Sequence, residues 1–301
     1  MALQSSIGDV LYTKFSDTVF RLAQQTQART RVCVEMAQLN AEEMMFPRIG
    51  SAEVQILNTR FPEIIPADIQ WDNRRLSGVR FGLPTFVDKW DQERMLSDPQ
   101  SELAVRATQA LERNLDRIII AAATATVYTG RTGTTPITAA NDGVTTVDAT
   151  NGFTYETLLQ IDANFQAQEV GMEAPLRKFL LMSEQEHQAL MKEGTLISGD
   201  FTRQYVVEQG YMIKALDFDI IRFGSGVPVP MLGVVGNVRG CLAIAYGGIK
   251  LGITQAWEID VEKRTDRWQT TQVLAVGTCG ATRMEGVRVQ LVNTTPAPNP
   301  A

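Results

Sequence analysis

The one histidine, His187, has Glu184 and Glu186 nearby, an arrangement that imitates a general-base cluster. A hydrolytic mechanism built on a His triad would have only this candidate. On its short helix His187 reads as a surface residue. Cys33, Cys241 and Cys279 are too few and too scattered for a disulfide framework, and no CxxC spacing marks a metal site. They read as free, mostly buried thiols. The run Gly130-Arg131-Thr132-Gly133-Thr134-Thr135 lacks the Lys that a phosphate loop places before its Ser/Thr, and it follows a helix where that motif follows a strand. Asp88, Asp91, Glu93 and Asp98 offer carboxylates to a cation, but Lys89 and Arg94 interleave with them, the pattern of an exposed ion-pair surface. Asn293-Thr294-Thr295 fits the glycosylation triplet, which a cytoplasmic product would never present to the enzyme. Trp71, Trp90, Trp257 and Trp268 read as packing anchors, some of them at interfaces in an oligomer. No catalytic residue, metal ligand or cofactor is expected.

Composition sets wider bounds. A chain of 301 residues holds one large or two modest cores. Its hydrophobic share of 44% and charged share of 21% are ordinary for a globular protein. A net charge of −6 argues against a dedicated nucleic-acid binder, which needs a basic face to displace counterions from phosphates. The start, MALQSSIGDVLYTK, has no charged head followed by an apolar run, so no secretory signal is expected. The longest apolar run, Ile118 to Ala123, is far short of the roughly 20 residues that span a bilayer. No membrane partner is expected, and synthesis in a cytoplasm is.

The elements that must position these residues are led by one long helix. Asp98-Pro99 marks its start, since proline tolerates the first turn and a preceding Asp caps free amides. Leu103, Ala107, Leu111, Leu115, Ile118 and Ala122 recur at helical spacing, with Arg106, Glu112, Arg113 and Asp116 facing elsewhere. The roughly 28 residues from Pro99 to Thr126 predict a rod about 40 Å long. Before it, residues 1–47 read as an arm, with a short helix capped by Ser16 and a half-buried strand alternating at Val32, Val34 and Met36. Residues 48–95 read as a long hairpin. Ile69 and Trp71 alternate outward, Asp72-Asn73-Arg74-Arg75 form a charged tip, and Val79, Phe81 and Leu83 return. A two-stranded ribbon is marginal alone in water, so it needs a surface to lie on.

Beyond the long helix, Tyr128 to Asn151 shows no period. Thr154 opens a helix carrying Leu158, Leu159, Ile161 and Phe165, and Phe179 to Met182 reads as a buried strand. Ser183 with Glu186 makes the capping-box spacing for a helix running to Lys192 and stopped by Gly194. A further helix is expected over Thr202 to Glu208, then strands near Ala215 to Phe223 and Cys241 to Tyr246. The closing part is strand-rich, with strict alternation over Trp257 to Glu262 and Val287 to Leu291 and an apolar strand over Gln272 to Gly277. The Pro-rich tail, 294–301, reads as frayed.

The order of arm, hairpin, long helix, α/β region and strand-rich return resembles the major capsid proteins of tailed bacteriophages. The likeness is carried by VDKWD, LSDPQSE and ALERNLDRIIIAA, by TYETLLQID, RKFLLMSEQEHQALMKEG and SGDFTRQYVVEQG, and by RGCLAIAYGGIKLGI and TTQVLAVGTCGATRMEGVRVQLV. It runs from about residue 16 to 292, and includes a Gly-Ala-Thr-Arg turn, Gly280 to Arg283, before the last strand. The resemblance implies an α+β fold, the tailed-phage major capsid fold, in four parts. An N-terminal arm (1–47) and an extended β-hairpin loop (48–95) reach neighbouring subunits. A peripheral domain with the long spine helix spans 96–151 and 255–293, and an axial α/β domain spans 152–254, ahead of a flexible tail (294–301).

The function implied is self-assembly into the icosahedral head of a tailed bacteriophage around double-stranded DNA, in a virion built in the bacterial host cytoplasm. The implied partners are copies of the chain itself in hexamers and pentamers, a portal, scaffolding or decoration proteins, and packaged DNA held by non-specific proximity. Trp71, Asp72, Arg74, Arg75 and Arg80 are the candidate inter-subunit contacts. Lys89 is the only lysine in the loop region and sits at its base, so the covalent crosslink of some relatives is not carried over. Two other readings stand beside this one: an encapsulin-like compartment shell of the same fold, and a cytoplasmic hydrolase or transferase using His187 or a cysteine.

Overall fold

A computed structural model describes residues 25–52, 69–88, 99–150, 152–172, 176–192, 214–224 and 238–295, with isolated positions between them. The expected Ser16 helix, the Thr202 to Glu208 helix, and Lys89, Trp90, Asp91, Glu93, Arg94 and Asp98 lie outside the described residues. Contacts divide the chain into two units. One takes in residues 80–114 and 255–278 with the chain up to Ala28. The other takes in 29–79, 115–254 and the chain from Cys279 on.

Helix α1, Pro99–Thr124, ends two residues short of its expected limit. In the smaller unit its Ala107 and Leu111 pack with Ala275, Phe81 and Trp257. Strand β4, Val79–Val87, lies beside β14, Thr270–Arg283, which pairs in turn with β13, Ile249–Arg264. Trp257 is the anchor of this small core. Its ring meets Phe81 at 5.5 Å between centroids and 60° between planes, and its indole N–H donates to Glu112 Oε1 at 2.5 Å. Gly277 faces that ring, and a Cβ there would overlap it, so only glycine lets the indole lie flat on β14. Past Trp257 the ribbon leaves its core. Every residue from Glu258 to Gln269 is exposed. A 3-10 turn over Thr265–Arg267 closes the ribbon, and Trp268 and Gln269 follow in left-handed conformation, φ 48° and 57°.

In the larger unit a seven-stranded sheet runs in the order β7-β15-β12-β8-β10-β9, with β11 on β12. Its strands are β7 (Thr145–Ala149), β8 (Lys178–Ser183), β9 (Lys214–Ala215), β10 (Phe218–Phe223), β11 (Val234–Val235), β12 (Val238–Ala245) and β15 (Val289–Thr294). β8 is buried along its whole length, as its unbroken apolar run predicts. Its one charge, Lys178, sits 2.8 Å from Asp162 with Phe165 and Phe218 beside the ammonium. Helices α2, Tyr155–Ala167, and α3, Glu184–Lys192, belong to this core, where Leu158, Ile161, Phe165 and Leu190 pack with Leu180, Met182, Ala243 and Val292. Each such buried side chain contributes about 1.5–3 kcal/mol of transfer free energy. Thr154 caps α2 by accepting from the Thr157 N–H at 3.3 Å. β7 and β15, which the resemblance placed in the peripheral part, run in the same sheet as the strands expected to be axial.

The loop region departs most from expectation. β2, Glu43–Ile49, pairs antiparallel with β3, Trp71–Ser77, in register from Glu43 opposite Ser77 to Ile49 opposite Trp71. Residues 72–75 are therefore the middle of a strand and not the tip of a turn. The boundary drawn at residue 47 falls inside β2. Gly78 makes the real turn into β4, its N–H donating to the Glu42 carbonyl at 3.0 Å. The charges misled because Arg74 shares the inward face of β3 with Leu76. β3 continues through β5, Val127–Thr129, to β6, Thr135–Ile137. The arm ends in a 3-10 turn, Thr30–Cys33, where alternation had predicted strand, followed by β1, Glu35–Gln38, parallel to the first residues of β13.

Candidate assembly site

An assembly subunit needs a rigid frame and surfaces left for others. The frame of the larger unit is fixed by a buried charge cluster. Asp142, in a 3-10 turn over Ala140–Asp142, accepts an ion pair from Arg74 Nη2 through Oδ1 and one from Arg283 Nε at 2.7 Å through Oδ2. Both arginines are fully buried. Arg283 Nη1 also donates to Ala123 O at 2.8 Å and Ala125 O at 3.1 Å. These are carbonyls at the C-terminus of α1, which lack partners in the helix and carry its negative dipole end. One guanidinium thus ties the helix end, the 3-10 turn and the end of β14. Gly280 to Arg283, expected as a turn, are the last residues of that strand.

A second anchor holds the arm. Asp116, predicted to face away from the core, is fully buried on α1. Its carboxylate accepts from Arg29 N at 3.1 Å, Thr30 N at 3.0 Å and Thr30 Oγ1 at 2.6 Å. One turn earlier Glu112 accepts from Ala28 N at 3.1 Å. Two carboxylates at i and i+4 thus grip three consecutive residues of backbone. The apolar periodicity shifts with them: Ile119, and not Ile118, is the fully buried residue of this turn. Asp116→Ala strips three donors of their acceptor, at about 1–3 kcal/mol for each donor left buried. Limited proteolysis should then cut near residues 25–30 far sooner than in the parent protein, and an unchanged cleavage rate would refute the anchor.

The candidate contact residues divide. Arg74 is fully buried and paired with Asp142 within the chain, away from the surface on which a contact was expected. Asp72 is half-buried, pairs with Arg48 at 3.2 Å and accepts from Asn73 N and Gly130 N. Arg75 is half-buried, 3.5 Å from Glu43 and 4.7 Å from the Tyr128 ring centroid. Arg80 is exposed on β4. Trp71 is 71% exposed, with Ile49, its cross-strand partner, at 54% and Val54 and Ile56 at 94% and 85%. In the other unit Trp268 is 94% exposed. Of the tryptophans, Trp257 packs as expected, whereas Trp71 and Trp268 are displayed. Nothing in the sequence marked Asp142, Asp116 or the exposure of Trp268.

The enzymatic readings find no support in this geometry. His187, expected at the surface, is buried on α3, because α3 turns that face with Glu186 and Leu190 into the unit. Glu186 is occupied structurally. It accepts from Ser183 Oγ, from Thr294 Oγ1 at 3.2 Å and from Arg239 Nη1 at 3.4 Å. The three thiols are all buried, and burial pushes each up, Cys241 and Cys279 to about 12 and Cys33 further still. Such thiols stay neutral and make poor nucleophiles. The Gly130 to Thr135 run is the turn of the β5–β6 hairpin, where Gly130 and Gly133 take φ 88° and 62°. A cavity of about 440 Å³ lies among Ile120, Leu232, Val238, Leu242, Leu291 and Asn293, and among the described residues its lining holds no titratable group.

The fold is that of tailed-phage major capsid proteins. Solved structures share it across their whole lengths. The capsid of the cyanophage P-SCSP1u aligns at TM-score 0.71 and 12% identity, covering 97% of this chain and 95% of that one. A chain of Mycobacterium phage Che8 aligns at 0.71 and 10%, covering 93% and 96%. The capsid of Helicobacter pylori bacteriophage KHP30 aligns at 0.70 and 10%, covering 98% of each. No curated protein matches the sequence. The chain belongs to the phage capsid protein family, whose model matches residues 7–293, and it is a major capsid protein, a structural component of a phage head.

Proposed function

We propose that the protein closes into an icosahedral head around double-stranded DNA by contacts between copies of itself, in hexamers and pentamers, with a portal at one vertex and scaffolding or decoration proteins as further partners, assembled in the bacterial cytoplasm. The observation that carries this reading is the set of large apolar side chains displayed beyond two well-formed cores: Trp268, Val54, Ile56 and Trp71. Trp71 stands exposed beside its exposed cross-strand partner Ile49, and Trp concentrates binding energy at interfaces. Many modest contacts then add up, because each copy engages several others at high effective concentration. A net charge of −6 suits a container whose contents must leave, since a lining rich in Lys and Arg would hold phosphates.

Trp71, Arg75 and Arg80 on β3 and β4 are the surface residues to change together. Trp71→Ser with Arg75→Ala and Arg80→Ala is expected to leave the thermal midpoint of the unassembled chain nearly unchanged and to cut the yield of megadalton particles at least about tenfold, because each weakened contact recurs throughout the shell. Light scattering reads the particles, and circular dichroism reads the fold. Full-sized heads at normal yield would reject these residues as contacts. A particle that never exceeds a small oligomer in the parent protein would reject the shell itself.

A further inference from the structure

We propose that Arg74 and Arg283 together bind one small monovalent anion, chloride in ordinary media, inside the larger unit. Two fully buried guanidinium groups share a single carboxylate, Asp142. Among the described residues, the other charges that act on Arg74, those of Arg48 and Asp72, pair with each other at 3.2 Å. Among the described residues the cluster thus sets two guanidinium groups against one carboxylate, offset in part by the α1 C-terminal carbonyls that accept from Arg283, in a region closed to water where surplus charge is costly.

Hydrogen bonding points the same way. Among the described residues, Arg74 Nε and Nη1 and Arg283 Nη2 are buried with no partner. Buried donors are nearly always paired, and those on charged groups most strongly. Arg74 Nη1 and Arg283 Nη2 belong to two arginines that flank the same carboxylate, so an acceptor placed against the cluster is positioned to serve one donor of each, while Arg74 Nε faces a different edge of its guanidinium. Burial also pulls the Arg74 pKa down, as it does for a cation short of compensation. Water would accept the hydrogen bonds but leave the charge. An acceptor carried on another chain is ruled out by size, since neither arginine side chain reaches the surface. A monovalent anion of atomic dimensions answers the charge and accepts from one donor of each arginine, Arg74 Nη1 and Arg283 Nη2. Its place matters to the fold: it completes the cluster that ties α1, β3, the 140–142 turn and β14.

The test compares unfolding of the full-length protein in sodium chloride, sodium bromide and sodium gluconate at matched ionic strength. Chloride and bromide should raise the midpoint over gluconate by about 5 °C, saturating with concentration. Arg74→Met removes two of the three unpaired donors and the surplus charge while leaving Arg283 with Asp142, and the difference between anions should vanish in it. A high-resolution density map of the parent protein in bromide gives an independent reading, a peak heavier than water in contact with Arg74 Nη1 and Arg283 Nη2. Equal midpoints in all three salts, an anion dependence that persists in Arg74→Met, or a peak no stronger than water would each overturn the site.

Discussion

Asp142→Ala should remove more stability than any other single change in the chain, about 3–5 kcal/mol. Deleting the carboxylate leaves Arg74 and Arg283 buried against each other with no protein counter-charge, and unpaired buried charge is far worse than a missing contact. Since a whole domain is stable by only about 5–15 kcal/mol, that loss should appear as insoluble or protease-sensitive protein. Chemical denaturation of the soluble fraction measures it. The triple change Arg74→Met, Asp142→Leu and Arg283→Met is the informative control, because apolar replacement of a complete buried ionic cluster is often neutral. If the single variant unfolds within about 1 kcal/mol of the parent protein, the cluster does not hold the frame. If the triple is as damaged as the single, packing and not charge is what the residues supply.

Gly280→Val is the second large effect. A Cβ at Gly280 would overlap the Ser77 carbonyl oxygen and press on its carbon and on Gly78, and all of these are backbone atoms at the turn between β3 and β4. Backbone held in register with β2 cannot give way as a flexible side chain would. Overpacking costs about 1–3 kcal/mol even where side chains can adjust, so valine here is expected at or beyond the top of that range. Gly224 is the matched control: nothing lies within 4 Å of its would-be Cβ. Gly224→Ala should change stability by no more than about 0.5 kcal/mol. Thermal melts of the two variants side by side decide the matter, and equal midpoints would dismiss the close approach at Gly280.

What the sequence disclosed was local. The extent of α1, the Thr154 cap of α2, the fully buried β8 and the Ser183–Glu186 start of α3 all depend on residues within a turn or two of one another, and all were legible. Between Tyr128 and Asn151 the strands hold three, three and five residues, too few for a period-two pattern to emerge. Partnership across the chain was invisible in another way. Arg74 meets Asp142 from 68 residues away, and Arg283 meets it from 141. A lone chain of letters shows Arg74 beside Arg75 and Asp72, which reads as a polar turn. It does not show that one of the pair points inward to a carboxylate. Asp116 failed for the same reason, since its cover arrives from Arg29 and Thr30, 87 and 86 residues upstream. The family likeness supplied what local signals did not, namely that these segments form one architecture.

The contrast between two tryptophans gives the protein a built-in optical gauge. Trp257 is wedged against Phe81 with its indole N–H engaged, so its emission should resemble that of a ring in an apolar setting whatever the state of association. Trp268, on the bare ribbon end, should emit at long wavelength and be quenched by iodide as freely as a dissolved indole. If copies come together over that end, then in a variant with Trp71→Phe and Trp90→Phe its spectrum should move to the blue and the quencher should lose access, so that growth of a particle can be followed in a cuvette without any label. A spectrum and a quenching constant that stay fixed while scattering rises would mean that the ribbon end remains in open water in the finished particle.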